Sequence, residues 1–136
     1  MNSQSKITTY KVVLCALLFS CFGLYGMAQT SQTGLASYYN DKFEGKKTAS
    51  GALYSASKMT AAHPSLPFGT TVKVTNISND KSVVVIVNDR GPFVKGRIID
   101  LSKAAAIEID LIDQGVAKVK IEFAVDQKKM IEKITW

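Results

Sequence analysis

The chain has 136 residues, of which 46% are hydrophobic, with a formal net charge of +6 and two cysteines. That length has room for one small domain beside a targeting segment and excludes a large multidomain enzyme within these residues. The basic excess suits anionic polymers in general and is too diffuse to argue for nucleic acid.

At the start, Lys6 and Lys11 form a basic region with no acid near it, and residues 12–25 are mostly apolar. Gly26 and Ala28 place small residues at a cleavage site, so residues 1–28 read as a secretory signal removed ahead of Gln29. The alternative is a lipoprotein signal that ends at Cys21, after Leu18, Phe19 and Ser20, with the cysteine lipidated. The apolar run is shorter than the ~20 residues a bilayer needs, so no stable membrane insertion is expected. Losing 28 of the 136 residues leaves 108, at a net charge of +4. Cys15 and Cys21 leave with the signal, so the exported domain must be stable without a disulfide.

Residues 29–33 read as a short polar leader, expected to be disordered. Residues 34–39 (GLASYY) read as a first strand ending in aromatics, and 40–51 as a polar loop punctuated by Gly45 and Gly51. In that loop Phe43 is expected in the barrel core. Residues 58–62 form a candidate strand closed by His63 and Pro64, and 71–76 (TVKVTN) alternate with period two. A hairpin turn at 78–81 leads into 83–87 (VVVIV), a β-branched run that reads as a strand buried on both faces. It stops abruptly at Asn88-Asp89-Arg90-Gly91-Pro92, and Ile98-Ile99-Asp100-Leu101 follows as a second short run. Ser102 is placed to cap a short Ala-rich helix, and 116–123 alternate as a last strand with one face in the core. The barrel domain is therefore bounded at 34–124, with a basic tail at 125–136 that has no assigned element. Six or so short strands with Gly/Pro turns and one helix predict an all-β fold, a small closed barrel.

Several motifs stand together in order. They are Ala36-Ser37-Tyr38-Tyr39, Thr48-Ala49-Ser50-Gly51, Thr60-Ala61-Ala62-His63, Leu66-Pro67-Phe68-Gly69-Thr70, Val87-Asn88-Asp89-Arg90-Gly91-Pro92-Phe93 and Gly96-Arg97-Ile98-Ile99-Asp100-Leu101-Ser102. This series resembles the rare lipoprotein A (RlpA-like) family over residues 34–123. The resemblance implies a six-stranded double-psi β-barrel and an endolytic peptidoglycan lytic transglycosylase of the cell envelope. It also implies that glycan strands are the partner and that cell-wall remodelling is the setting. A monomer is expected. With one histidine and no cysteine after the signal, no metal or other cofactor is expected.

The chemistry can be stated apart from the family. A glycosidic bond breaks when an acid protonates the leaving oxygen as positive charge develops on the sugar. A lytic transglycosylase manages with one carboxyl, because the substrate's own C6 hydroxyl closes a 1,6-anhydro ring. Asp89, at the mouth of a strand, is the candidate acid; the alternative is that it only caps its turn through the Gly91 N–H. Asp100 is second in line for a direct role, against a structural hydrogen bond near the helix start. A lone His before Pro commonly holds a turn, whereas the resemblance places His63 in the catalytic site. Glu44 and Asp41 lie in the adjacent loop, and Glu44 is a candidate supporting acid. Arg90 and Lys95 are candidates to meet lactyl or peptide carboxylates. Tyr38, Tyr39 and Tyr54 are candidate sugar-stacking rings. The chain departs from the family pattern at Ala52 and Ser55, where the resemblance implies Glu and Asp. A noncatalytic, expansin-like wall-binding or wall-loosening module is therefore the rival function.

Overall fold

The computed structural model describes residues 27–126; expectations for the signal and for most of the tail fall outside them. Residues Gln29–Ala124 form one compact unit. Its strands are β1 (Met27–Tyr38), β2 (Thr60–Ala62), β3 (Thr71–Asn76), β4 (Ser82–Asp89), β5 (Arg97–Leu101) and β6 (Ala117–Asp126). One 3-10 turn, Asp41–Phe43, and one helix, α1 (Lys103–Glu108), complete the elements. The strands close into a barrel in the order β1-β5-β2-β4-β3-β6.

The period-two patterns set the inner face. Val72 and Val74 of β3, Val85 and Val87 of β4, and Val119 and Ile121 of β6 are fully buried. Antiparallel pairing of Val72 with Phe123 and of Val74 with Val83 keeps these residues in register, since a one-residue slip would turn every one outward. Ile99 and Leu101 of β5, with Ile109 and Leu111 after α1, fill the remaining interior. Ser102 caps α1 as expected, its Oγ accepting the Ala105 N–H at 3.4 Å. Buried Asn76 joins β3 to the end of α1: its Nδ2 donates to the Ile109 carbonyl at 2.8 Å.

Three expectations are corrected. The run at 83–87 is not buried on both faces, because Val84 and Ile86 are 54% and 48% exposed. A closed six-stranded barrel has a single interior and no outer layer over this strand, so alternate residues meet water. Residues 29–33 are not a disordered leader but part of β1. Further along that strand, a Cβ on Gly34 would lie 2.6 Å from Ile98 Cγ2, so glycine lets β1 approach the β5 side closely. Phe43 is 36% exposed rather than core. It sits in the 3-10 turn, outside the barrel wall.

The register also fixes where chemistry can be built. Ala62 pairs with Asp89 of β4 on one side and with Asp100 of β5 on the other. Tyr38 pairs with Leu101, which brings the end of β1 to the same rim.

Candidate active site

Asp89 closes β4 with its carboxylate met by three donors from three parts of the chain. Oδ1 accepts the backbone N–H groups of Ala49 and Arg90, both at 2.8 Å. Oδ2 accepts the Tyr39 hydroxyl at 2.5 Å. The turn-capping bond therefore exists, but it comes from Arg90 rather than Gly91. Gly91 instead supplies backbone freedom, with φ at +117°, so the chain can leave the barrel directly after the acid. The Ala49 N–H is presented by a tight turn in which Thr48 Oγ1 donates to the Ala52 carbonyl at 2.7 Å and Ser50 N–H to the Asn88 carbonyl at 3.3 Å.

Tyr39 is held as a donor. Burial, and then its bond to Asp89, push its hydroxyl far above the ordinary tyrosine range, so it stays protonated. Its ring lies 4.5 Å from that of Tyr54 and 5.8 Å from that of Phe43, centroid to centroid.

Asp100 is differently placed. Arg97 Nη2 donates to its Oδ1 at 2.5 Å, with both side chains partly buried. It is thus committed to a cation from its own strand rather than to the helix start. Arg97 Nε is buried without a partner among the described residues.

His63 is buried and faces the turn that follows it. Its Nδ1 accepts the backbone N–H groups of Ser65 and Leu66 at 3.1 and 3.0 Å. With Nδ1 an acceptor, the network assigns the proton to Nε2, which lies 3.3 Å from Gln32 Oε1. Burial, and then the nearby Arg90 charge, hold its pKa below the usual histidine range. Arg90 spans the same turn, its Nη1 donating to the carbonyls of His63 at 3.2 Å and Leu66 at 2.8 Å. The guanidinium carbon sits 4.0 Å above the centroid of the Phe68 ring.

The neighbouring acids are already engaged, Glu44 with a backbone N–H and Asp41 with the helix. Glu44 Oε2 accepts the Ala56 N–H at 2.7 Å, and Asp41 pairs with Lys103 at 2.9 Å. Ala52 is exposed, and Ser55 Oγ bonds Ser57 Oγ at 3.0 Å. The structure therefore joins Asp89 to Tyr39, sets the Arg90 guanidinium on the turn after His63, and leaves Glu44 and Asp100 engaged elsewhere.

Of the three tyrosines expected to stack on sugars, Tyr54 is buried to 3% exposure and its hydroxyl accepts the Lys103 N–H. No open face remains on that ring. The Tyr38 hydroxyl donates to the Ile112 carbonyl, and Tyr39 has its bond to Asp89. Besides Phe43, the open rings in the surrounding turns are Phe68 and Phe93, at 43% and 82% exposure. Both lie inside motifs quoted above, Leu66-Pro67-Phe68-Gly69 and Gly91-Pro92-Phe93. Their place in Gly/Pro turns is the signal by which sequence reasoning could have told them from core aromatics.

Residues 31–121 match the family model described as "Lytic transglycolase". The chain belongs to that family. Over 92 residues it is 56% identical to "Endolytic peptidoglycan transglycosylase RlpA" of Pasteurella multocida, covering 68% of this chain and 31% of that protein. Over 114 residues it is 45% identical to "Probable endolytic peptidoglycan transglycosylase RlpA" of Treponema pallidum, covering 83% and 36%. The chain thus spans about a third of the length of these curated relatives. Among solved structures it is similar to the Streptomyces papain inhibitor, with a TM-score of 0.57 and 29% identity over 69% of this chain and 94% of that one. It is also similar to the apo expansin of Clavibacter michiganensis, with a TM-score of 0.54 and 19% identity over 69% and 50%. That last likeness concerns the fold alone. The expected double-psi β-barrel is the fold of this family member.

Proposed function

We propose that this chain is an endolytic lytic transglycosylase of peptidoglycan glycan strands, exported to the cell envelope, with Asp89 as the group that moves the proton. The observation that carries the reading is the setting of Asp89. It is a rim carboxylate with no cation paired to it among the described residues, held by Tyr39, Ala49 and Arg90. Two main-chain donors fix Oδ1, which leaves Oδ2 as the oxygen that carries a proton. The Tyr39 hydroxyl can donate to that oxygen when it is ionised and accept from it when it is protonated, so it stays partnered through the cycle.

In the first step the Asp89 carboxyl gives its proton to the glycosidic oxygen as the C1–O bond breaks and positive charge develops on the muramyl ring. In the second, the C6 hydroxyl of that ring attacks C1 and its proton returns to Asp89. Water is not consumed, and the product ends in a 1,6-anhydro ring. His63 holds the 63–66 turn and the carbonyls that anchor Arg90, a supporting part in this scheme. The relatives' names support the same activity, as does the motif spacing.

Incubation of purified glycan strands with the protein, followed by mass analysis, is the test. Anhydro-muramyl ends are the expected product, and reducing ends would replace this reading with hydrolysis. One observation favours a second reading: Ala52 and Ser55 stand where the resemblance implies two acids, and Glu44 and Asp41 are bonded to the Ala56 N–H and to Lys103. Tight binding without any cleavage product would make the chain a wall-binding module.

A further inference from the structure

We propose that Arg90, the residue that follows the candidate acid, with its guanidinium laid on the Phe68 ring, is a subsite that reads a carboxylate carried by the glycan strand. The proposal rests on the transglycosylase reading for the groove and adds to it the part of the substrate that is recognised.

Arg90 is immobilised without being neutralised. Nη1 is held by the His63 and Leu66 carbonyls, and Phe68 supports the plane of the guanidinium. Among the described residues, the salt bridges join Lys81 to Asp110, Arg97 to Asp100, Lys103 to Asp41 and Lys120 to Glu122; Arg90 takes part in none. Its Nε and Nη2 have no partner among the described residues either, and the side chain belongs to a partly exposed residue. Asp89 does not quench the charge, since its carboxylate bonds the Arg90 backbone N–H rather than the guanidinium. Burial lowers the proton affinity of His63, and the nearby Arg90 charge lowers it further.

A planar fork with one edge spent and the other open is matched to a carboxylate, which it can take through two parallel N–H bonds. Because the side chain is already fixed by two carbonyls and a ring, little rotamer freedom is lost on binding. Lys95 lies nearby in sequence but in an exposed segment, and a flexible point charge offers no such geometry. Peptidoglycan strands present carboxylates from two sources. The lactyl group of each muramyl sugar is a free carboxylate when its peptide is gone, and an attached peptide brings carboxylates of its own. A chitooligosaccharide has the same β-1,4 backbone and neither source.

The test is calorimetric binding by the full chain carrying Asp89→Asn, to stop turnover, at fixed ionic strength. Three strands of equal length are compared: peptide-free glycan, peptide-bearing glycan and chitooligosaccharide. A carboxylate-bearing strand should bind roughly tenfold tighter than the chitooligosaccharide, or more. Preference for the peptide-free strand identifies the lactyl group, and preference for the peptide-bearing strand identifies the peptide. Arg90→Lys in the same background should erase the preference while leaving chitooligosaccharide affinity in place, and Lys95→Gln should not erase it. A preference that survives Arg90→Lys, or that disappears with Lys95→Gln, overturns the assignment. Should Arg90→Lys fail to fold, reducing the strand's carboxyls to alcohols makes the same test with Arg90 intact, and undiminished binding is then the overturning result. Equal affinity for all three strands defeats this proposal alone. Binding to none of them defeats the transglycosylase reading with it.

Discussion

Strand β2 is flanked by β4 and β5, and at Ala62 the register sets Asp89 on one side and Asp100 on the other. The β5 carboxylate is closed off: Arg97 reaches it at 2.5 Å and its side chain is only 18% exposed. The β4 carboxylate is held by one hydroxyl and two main-chain N–H groups. Both acids follow short apolar β-branched runs, so sequence gives them similar claims. What separates them is whether a cation is bound. A carboxylate paired with guanidinium is an architectural charge, because protonating it would strand the partner in a half-buried place. One held by a hydroxyl and two main-chain N–H groups has no ion pair to break among the described residues.

The largest expected effect breaks the β4 side. Asp89→Asn keeps an oxygen for the Ala49 and Arg90 N–H groups but has no proton to deliver. Anhydro-product formation should fall by about 10²–10⁴ with thermal stability and glycan binding largely kept. A variant that unfolds instead would reduce Asp89 to a turn-holding residue.

Next is a gain. Ala52→Glu with Ser55→Asp adds carboxyls to the loop whose Ala49 N–H already binds Asp89. Ala52 is exposed, and the added charges should stay hydrated at little cost. Turnover should rise about tenfold, which needs only about 1.4 kcal/mol of barrier. Folded, glycan-binding protein that cleaves no faster would show that these two positions do not limit the site.

The β5 side is expected to respond in stability rather than rate. Asp100→Asn leaves Arg97 without its anion, and its Nε already lacks a partner. Unfolding free energy should drop by about 1–3 kcal/mol in urea titration. Product formation per folded molecule should hold, and a collapse in rate at intact stability would give Asp100 a share of the chemistry.

The smallest effect concerns pH. His63 is kept neutral in the fold, its proton affinity lowered by burial and by Arg90, and a proton at Nδ1 would break the bonds from Ser65 and Leu66. The unfolded chain takes up that proton near the ordinary value of about 6.5, so the contribution is full above that pH and is lost as pH falls toward the lower folded value. Urea midpoints should decline on acidification below about pH 6.5, and His63→Gln should flatten that part of the curve.

Much of the barrel could be read from sequence, because burial and alternation are local properties. Val72 and Val74, or Val119 and Ile121, announce their inner face every second residue. The same rule misled at Val84 and Ile86, where five β-branched residues in a row hide which ones face water. The site was legible as a set of residues but not as a set of partners. Tyr39 and Asp89 stand 50 positions apart, and nothing in either motif says that one donates to the other. The Ala49 N–H is invisible in principle, since a backbone donor has no residue type. Tyr54 and Phe43 were misjudged for the converse reason: aromatic rings look alike in sequence whether they end under a helix N-terminus or on a surface turn.

Ala62 takes no part in the chemistry, yet it works as a spacer. Its side chain is one methyl group with 2% exposure, on a strand paired on either side with those that carry the two acids. Anything larger would press into the packed barrel interior and shift the strand that lies between a reactive group and a structural ion pair, without touching either. The loops around the rim can exchange residues, as Ala52 and Ser55 illustrate, and alter only what meets the substrate. Tolerance to change in this molecule is therefore inverted from what chemical character suggests, with the least reactive residue at the rim having the least room to vary.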